Sequence, residues 1–149
     1  MRIGPARKTE REWAARLMAG SQPWIRLGRR LAACRRVCRR GDQLLFVARD
    51  RGGPCGFVLV HPRGVAGSPY VASIAVAASR RGEGIGRRLL GFVERRYRRN
   101  GRHLFLCVSS FNVAARRFYE RAGYEAVGDF PDYVVDGASE VLMHKWLRR

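Results

Sequence analysis

Two kinds of apolar periodicity alternate along the chain, and together they predict helices interleaved with strands. Near the N-terminus, Thr9 is suited to cap a helix that runs toward Ala19, with Glu12 completing a capping box. A second helical segment, "SQPWIRLGRRLAACRRVCRRG", places Pro23 in a first turn and Gly41 at its end. The sequence therefore predicts two short helices before the first strand.

Continuous apolar runs follow, and they are typical of buried strands. The runs "QLLFVARD" and "PCGFVLVHP" are separated by the turn signal "RGG", which predicts an antiparallel hairpin. The run from Tyr70 to Ala78 is apolar at nearly every position, as expected for a strand that is covered on both faces. Further strands are predicted at "HLFLCVSS", "YEAVG" and "SEVLMHKWL", the last two separated by the loop "DFPDYVVDG".

Helical periodicity returns in two later segments. Beyond Gly84 the apolar residues recur at helical spacing, and they form the stripe Ile85, Leu89, Phe92, Val93 and Tyr97. A further helix is predicted from Asn112 to Gly123. This order of elements predicts an α/β (α+β) fold with a mixed, mostly antiparallel central sheet flanked by helices. The length suits one domain over residues 1–149.

The chain is strongly basic, with a formal net charge of +18. Such a charge attracts phosphate-rich cofactors, nucleic acids or acidic surfaces. Arginines on the exposed face of the predicted helix after Gly84 keep a basic nucleic-acid-binding module open as an alternative function: Arg95, Arg96, Arg98 and Arg99. No RNA- or DNA-binding motif accompanies these arginines, so nucleic acid is not the favoured partner.

The cysteines and the apolar runs limit the other classes of function. None of the four cysteines forms a paired CxxC, and the three histidines are scattered singly, so we expect free thiols in a reducing compartment and no metal site. The N-terminal stretch has no apolar signal-peptide core, and no run approaches the length of a membrane span. We therefore expect a cytoplasmic protein with no membrane partner.

The stretch "RRGEGIGRRLL", between the predicted strand and helix, combines glycines with arginines. Unpaired N–H groups converge at a helix start, and the helix dipole favours negative charge there, so a phosphate group is the ligand that this arrangement suits. Glycine lets the ligand approach the backbone without a Cβ in the way. The glycine spacing matches neither the Rossmann fingerprint nor the P-loop.

The pattern that does match is Arg81-x-x-Gly84-x-Gly86. Together with "SIAVAASRRGEGIGRRLL" and the later "SSFNVAARRFYERAGYEAVG", it resembles the GNAT superfamily of acetyl-CoA-dependent N-acetyltransferases, over about Gln43 to Trp146. The resemblance implies a GNAT fold and an acyltransferase that moves the acetyl group of acetyl-CoA to a primary amine. The acceptor is left open between a small molecule and a protein N-terminus or lysine.

The resemblance also implies which residues bind acetyl-CoA. Backbone groups of Ile74, Ala75 and Val76 are expected to receive the pantetheine arm, and a backbone N–H near Val76 to stabilise the tetrahedral intermediate. The pyrophosphate is expected to lie on the turn formed by Arg81, Gly82, Glu83, Gly84, Ile85, Gly86 and Arg87. Asn112 is expected to contact the cofactor, and Tyr119 to protonate the departing thiolate.

One position departs from the family pattern. Where ribosomal-protein acetyltransferases of the superfamily carry a glutamate as general base, this chain has Cys107. Deprotonation of the amine is left open between water and four side chains: Tyr70, His61, Asp129 and Asp132. Because this carboxylate is missing, a second alternative is also open, namely a GNAT-fold protein that binds coenzyme A without catalysis. The presence of Tyr119 argues against this alternative.

Overall fold

The computed structural model describes residues 1–149. Its elements in chain order are β1 (Arg2–Pro5), α1 (Lys8–Ala19), α2 (Leu31–Arg39), β2 (Leu44–Asp50), β3 (Gly53–Val65), β4 (Ser68–Val76), a 3-10 turn (Ala78–Arg80), α3 (Ile85–Arg98), β5 (His103–Ser109), α4 (Val113–Arg121), β6 (Glu125–Pro131) and β7 (Ser139–Trp146). The strands form one seven-stranded sheet in the order β1-β2-β3-β4-β5-β7-β6. Only β4 and β5 pair in parallel, so the expected mixed, mostly antiparallel sheet is confirmed.

Two apolar cores lie on opposite faces of this sheet. One core packs α3 and α4 against the strands, and the predicted stripe of α3 belongs to it, with Leu89 and Val93 fully buried. The other core packs α1 and α2 against β2 and β3, around residues such as Met18 and Phe57. Strands β2, β3 and β4 have side chains in or against both cores. Because both faces of these strands are covered, their sequences are apolar at nearly every position.

The N-terminal elements differ from the sequence prediction. Helix α1 begins at Lys8, with Arg7 rather than Thr9 as its N-cap, and the Arg7 N–H donates to Glu10 Oε2 at 2.7 Å. Glu10 also accepts from Arg49 on β2 at 2.7 Å, so a tertiary ion pair places the helix start. Glu12 does not cap α1, because it pairs with α2 instead.

The segment around Pro23 is also not the helix start that was predicted. The chain between Gly20 and Arg30 makes successive turns, and α2 begins only at Leu31. Gly28 has a left-handed φ of 73°, which interrupts helical geometry in this segment. Strand β1, which pairs antiparallel with β2, has no counterpart in the sequence prediction. No helix in the structure has both the length and the apolar composition needed to cross a bilayer.

Strands β4 and β5 separate in the middle of the sheet. Their parallel pairing covers only Tyr70 and Val71 of β4, whereas pairing of β4 with β3 continues to Val76. The register of β4 against β3 shifts next to this point, leaving Ala72 as an extra residue in β4. A bulge of this kind bends the strand that carries it. A wedge therefore opens between the second half of β4 and the end of β5.

Candidate active site

The open edge of β4 presents unpaired backbone groups to the wedge. In an antiparallel pair, alternate residues direct both backbone polar groups toward the partner strand. The Ala77 N–H donates to the Cys55 carbonyl at 2.9 Å, so the same alternation directs the Ala75 groups toward β3. Ile74 and Val76 therefore direct their N–H and carbonyl groups toward the wedge. The backbone of Ala75 is directed toward β3, so the geometry favours Ile74 and Val76 for the predicted contact with the pantetheine arm.

A turn rich in free N–H groups lies where the wedge meets α3. None of the backbone N–H groups from Arg81 to Arg87 donates to a protein acceptor, and the first α3 bond runs from Arg88 N–H to the Gly84 carbonyl. Gly82 and Gly84 have left-handed φ values of 80° and 79°, and a Cβ at either would meet no atom within 4 Å. Glycine is required here by backbone conformation, and the space above it is open.

Gly86 has a different reason for being glycine. A Cβ there would lie 3.3 Å from Phe118 Cζ and 3.8 Å from Val76 Cγ2. The residue thus lets α3 approach α4 and β4 closely. The side chain of Ile85 is buried in the core, so only its backbone can face a ligand.

The charged side chains of the turn divide into paired and free groups. Arg80 binds Asp50 at 2.7 Å and Glu83 at 2.8 Å, which holds the first part of the turn to β2. Glu83 is therefore directed away from the cavity, and only its free N–H is available to a ligand. Arg81 and Arg87 are exposed and have no carboxylate partner. A phosphate at this turn would meet free N–H groups and uncompensated positive charge.

Helix α4 contributes two of the expected site residues. Asn112 is its N-cap, and the Asn112 Oδ1 accepts from the Ala115 N–H at 3.3 Å, which leaves the amide NH₂ free. Tyr119 is 8% exposed, and no protein group hydrogen-bonds its hydroxyl. Burial raises the pKa of Tyr119 above its ordinary value, so the phenol stays protonated near neutrality.

These features line one cavity of about 950 Å³. Of the residues expected at the site, all but Glu83 line it: Ile74, Ala75, Val76, Arg81, Gly82, Gly84, Ile85, Gly86, Arg87, Asn112 and Tyr119. Its far wall is the turn segment from Gly20 to Arg29, in which Trp24 is buried against Phe57. The Arg26 guanidinium lies 4.1 Å above the Phe111 ring, which fastens this wall to the loop after β5.

Of the four side chains considered as a base, only Tyr70 lines the cavity. His61 lies 3.7 Å from Asp42, whereas Asp129 and Asp132 are exposed on or after β6. Burial raises the pKa of the Tyr70 hydroxyl and of the Cys107 thiol, so both groups stay protonated near neutrality. A protonated phenol is a poor acceptor for a proton, so Tyr70 is unsuited to the role of base.

Two residues of the site were missed by the sequence prediction. Glu140, at the start of β7, lines the cavity and accepts a hydrogen bond from the Ser109 hydroxyl at 2.8 Å. It is the only carboxylate among the lining residues. Glu140 and Ser109 are register partners on β7 and β5, a relation that neither local sequence reveals.

Comparison with known sequences gives a family match over most of the chain. The sequence profile described as the "Acetyltransferase (GNAT) family" matches residues 9–124. An uncharacterized N-acetyltransferase of Methanocaldococcus jannaschii is 41% identical over 102 residues, which are 67% of this chain. The match spans 64% of the length of that relative.

Solved structures share the fold at low sequence identity. A GNAT-family protein of Desulfovibrio desulfuricans superposes with a TM-score of 0.83 at 21% identity, covering 99% of both chains. An aminoglycoside 6'-N-acetyltransferase complexed with coenzyme A superposes with a TM-score of 0.79 at 18% identity, covering 100% of this chain and 98% of that one. The fold, the glycine turn and the profile match agree, and the chain belongs to the GNAT acetyltransferase family.

Proposed function

We propose that this chain is an N-acetyltransferase, formed by a single domain over residues 1–149, that moves the acetyl group of acetyl-CoA to a primary amine. The observation that carries the proposal is the wedge between β4 and β5, which leads onto the free N–H groups of the turn before α3. The GNAT-fold structure with coenzyme A bound supports this choice of co-substrate. No cluster of metal-ligating side chains is found, and the proposal uses no metal.

The cofactor would lie along the wedge and end at the turn. Its pantetheine amides would pair with the backbone of Ile74 and Val76, which have no strand partner on that side. Its pyrophosphate would accept from N–H groups between Arg81 and Arg87, with arginine side chains adding attraction. The free amide of Asn112 would complete the contact from α4.

The chemistry follows from what lines the cavity beside the thioester. The amine nitrogen attacks the thioester carbonyl carbon, and the Val76 N–H stabilises the oxyanion that forms. Collapse of this intermediate breaks the C–S bond, and Tyr119 gives its hydroxyl proton to the thiolate sulfur. A phenol that burial keeps protonated can donate this proton, and it regains one from solvent afterwards.

Calorimetric titration with acetyl-CoA, followed by a mass-spectrometric screen of amines and peptide N-termini, tests the proposal. We expect tight binding and at least one acetylated product. Absence of binding would contradict the proposal as a whole. Binding without any product would favour a coenzyme A-binding protein that lacks catalysis.

We propose the cytoplasm as the compartment of this protein, and the thiols support that proposal. Cys34, Cys38 and Cys55 are buried, and all four cysteines are free. Burial raises the pKa of Cys38 to about 11, so this thiol is unreactive at neutral pH. Free thiols support the cytoplasm as the place of action.

A further inference from the structure

A group of polar side chains lies on the sheet at the α1 and α2 side of the cavity. Cys107 and Ser109 lie on one face of β5, because they are two residues apart on a strand. Tyr70 of β4 lines the cavity together with them, and Glu140 of β7 accepts a hydrogen bond from the Ser109 hydroxyl. The group includes the cavity's only carboxylate.

Glu140 lies on β7, whereas the proposed phosphate site is the turn between β4 and α3. The charged residues around the turn before α3 are arginines, and they suit phosphates. Glu140 lies instead opposite Ser109 in the pairing of β5 with β7, and the Ser109 hydroxyl donates to its carboxylate. Its carboxylate makes no ion pair with any arginine of this strongly basic chain, although Arg29 also lines the cavity.

A cationic partner would stabilise an unpaired carboxylate in such a place. A half-buried negative charge is costly unless it is hydrogen-bonded or paired, and the Ser109 hydroxyl supplies one bond only. The acceptor of an N-acetyltransferase arrives as an ammonium ion. Its charge and N–H donors would satisfy the remaining lone pairs of Glu140.

We propose that Glu140 is the residue that binds the acceptor ammonium and takes its proton, with Ser109 as the residue that positions the carboxylate. This inference rests on the proposed acetyl transfer. One N–H bond of the ammonium breaks and its proton goes to a Glu140 oxygen, leaving a neutral amine with a free lone pair. The lone pair forms the C–N bond, the C–S bond breaks, and the thiolate receives the Tyr119 proton. The second N–H proton then leaves to solvent as the amide forms.

The same charges define the class of acceptor. The other charged residues that line the cavity are all cationic: Arg29, Arg80, Arg81, Arg87 and Arg121. A polycation would place its additional charges against these arginines without a carboxylate to compensate them. Glu140 therefore selects a primary amine with a single positive charge.

The test uses the full chain and three substitutions. Glu140→Gln keeps the shape and the bond from Ser109 but loses the charge, and Ser109→Ala removes the positioning bond. Glu120→Gln is the control, because Glu120 is exposed on α4, pairs only with Arg116 and does not line the cavity. Coenzyme A affinity, measured by calorimetry, should be equal in all four proteins. Acetylation is measured with phenethylamine, tyramine, an alanine-terminated dipeptide, spermine and kanamycin.

The dependence on pH distinguishes a proton acceptor from a structural residue. For the best monoamine, Glu140→Gln should lower kcat/KM by about a hundredfold to ten-thousandfold at neutral pH. The loss should shrink as pH rises past the pKa of the amine, because the acceptor then arrives without its extra proton. Ser109→Ala should show a smaller loss with the same pH trend, and Glu120→Gln none.

Several outcomes would overturn the inference. An equal loss in Glu140→Gln at every pH would make the residue structural, and no loss would remove it from the site. Faster acetylation of spermine or kanamycin than of any monoamine would refute the single-charge class. A wild-type protein that binds coenzyme A but acetylates none of the amines would refute the proposed transfer, and the inference with it.

Discussion

Adding one methyl group at Gly84 separates the conformational role of this glycine from its role in binding. The residue has φ 79°, and a Cβ would meet nothing within 4 Å, so Gly84→Ala introduces strain without a clash. A left-handed alanine costs about 1 to 2 kcal/mol. Since 1 kcal/mol shifts the Tm of a domain of this size by about 3 °C, the variant should melt about 3 to 6 °C lower.

The effect on cofactor binding should be larger than the strain alone explains. The methyl group would occupy the open space beside the unpaired N–H groups of the turn, where we propose that the phosphate binds. Losing one hydrogen bond to a charged group costs about 1.5 to 3 kcal/mol, which corresponds to about a tenfold to hundredfold weaker Kd for coenzyme A.

Gly67→Ala provides the matched control for this substitution. Gly67 has φ 77° and equally open space, but it lies in the β3–β4 turn and does not line the cavity. Scanning calorimetry should report similar Tm losses for the two variants, whereas titration with coenzyme A should report weakened binding only for Gly84→Ala. Equal coenzyme A affinity in the two variants would show that the phosphates bind elsewhere.

Three further predictions concern the acid, the electrostatics and the fold. Tyr119→Phe should bind acetyl-CoA with an unchanged Kd, but its kcat, measured by thiol release, should be lower by about a hundredfold to ten-thousandfold. An unchanged rate of the chemical step would show that Tyr119 is only an aromatic residue of the core. Coenzyme A binding should weaken as salt is added, because Arg81 and Arg87 are exposed and salt screens their charges. If mixed-sequence RNA competes with coenzyme A at equal concentration, the result would instead support the nucleic-acid alternative. The hydrogen bond from Arg49 holds the pKa of Glu10 below its ordinary value. This pair therefore stabilises the fold fully at pH values above the unfolded-state pKa of about 4.3. The stabilisation is lost as pH falls through the lower folded-state pKa. Glu10→Gln should therefore lower the free energy of unfolding by about 2 kcal/mol at pH 7, as measured by urea unfolding. The stability of the variant should also fall less steeply in acid than that of the wild type. If the two proteins lose stability in parallel, the pair is not the source of the acid sensitivity.

Local requirements of the backbone and of burial were sufficient to predict much of the architecture. The helical stripe of α3 and the hairpin of β2 and β3 follow from periodicity, because each element must bury one face. The glycine turn before α3 was also recognisable, since Gly82 and Gly84 are needed for left-handed φ within a few residues of each other. Features of this kind depend on neighbours in the chain.

The errors occur where a distant partner overrides a local preference. Thr9 has the better capping side chain, but the ion pair of Glu10 with Arg49 on β2 sets the start of α1 two residues earlier. At Ala75, composition could not reveal which residues of β4 face β3 and which face the wedge. That alternation is set by the strand register, which the bond from Ala77 to Cys55 establishes.

The proton-accepting half of the site is wholly a product of tertiary structure. Ser109 and Glu140 are 31 residues apart, and their hydrogen bond exists because β5 and β7 pair in one particular register. A shift of one residue would direct Glu140 to the opposite face of the sheet. The sequence alone determined the glycine turn that we propose as the phosphate site, because the turn is made from consecutive residues. Only the folded sheet decided which carboxylate reaches the cavity, because that depends on the pairing of strands far apart in the chain.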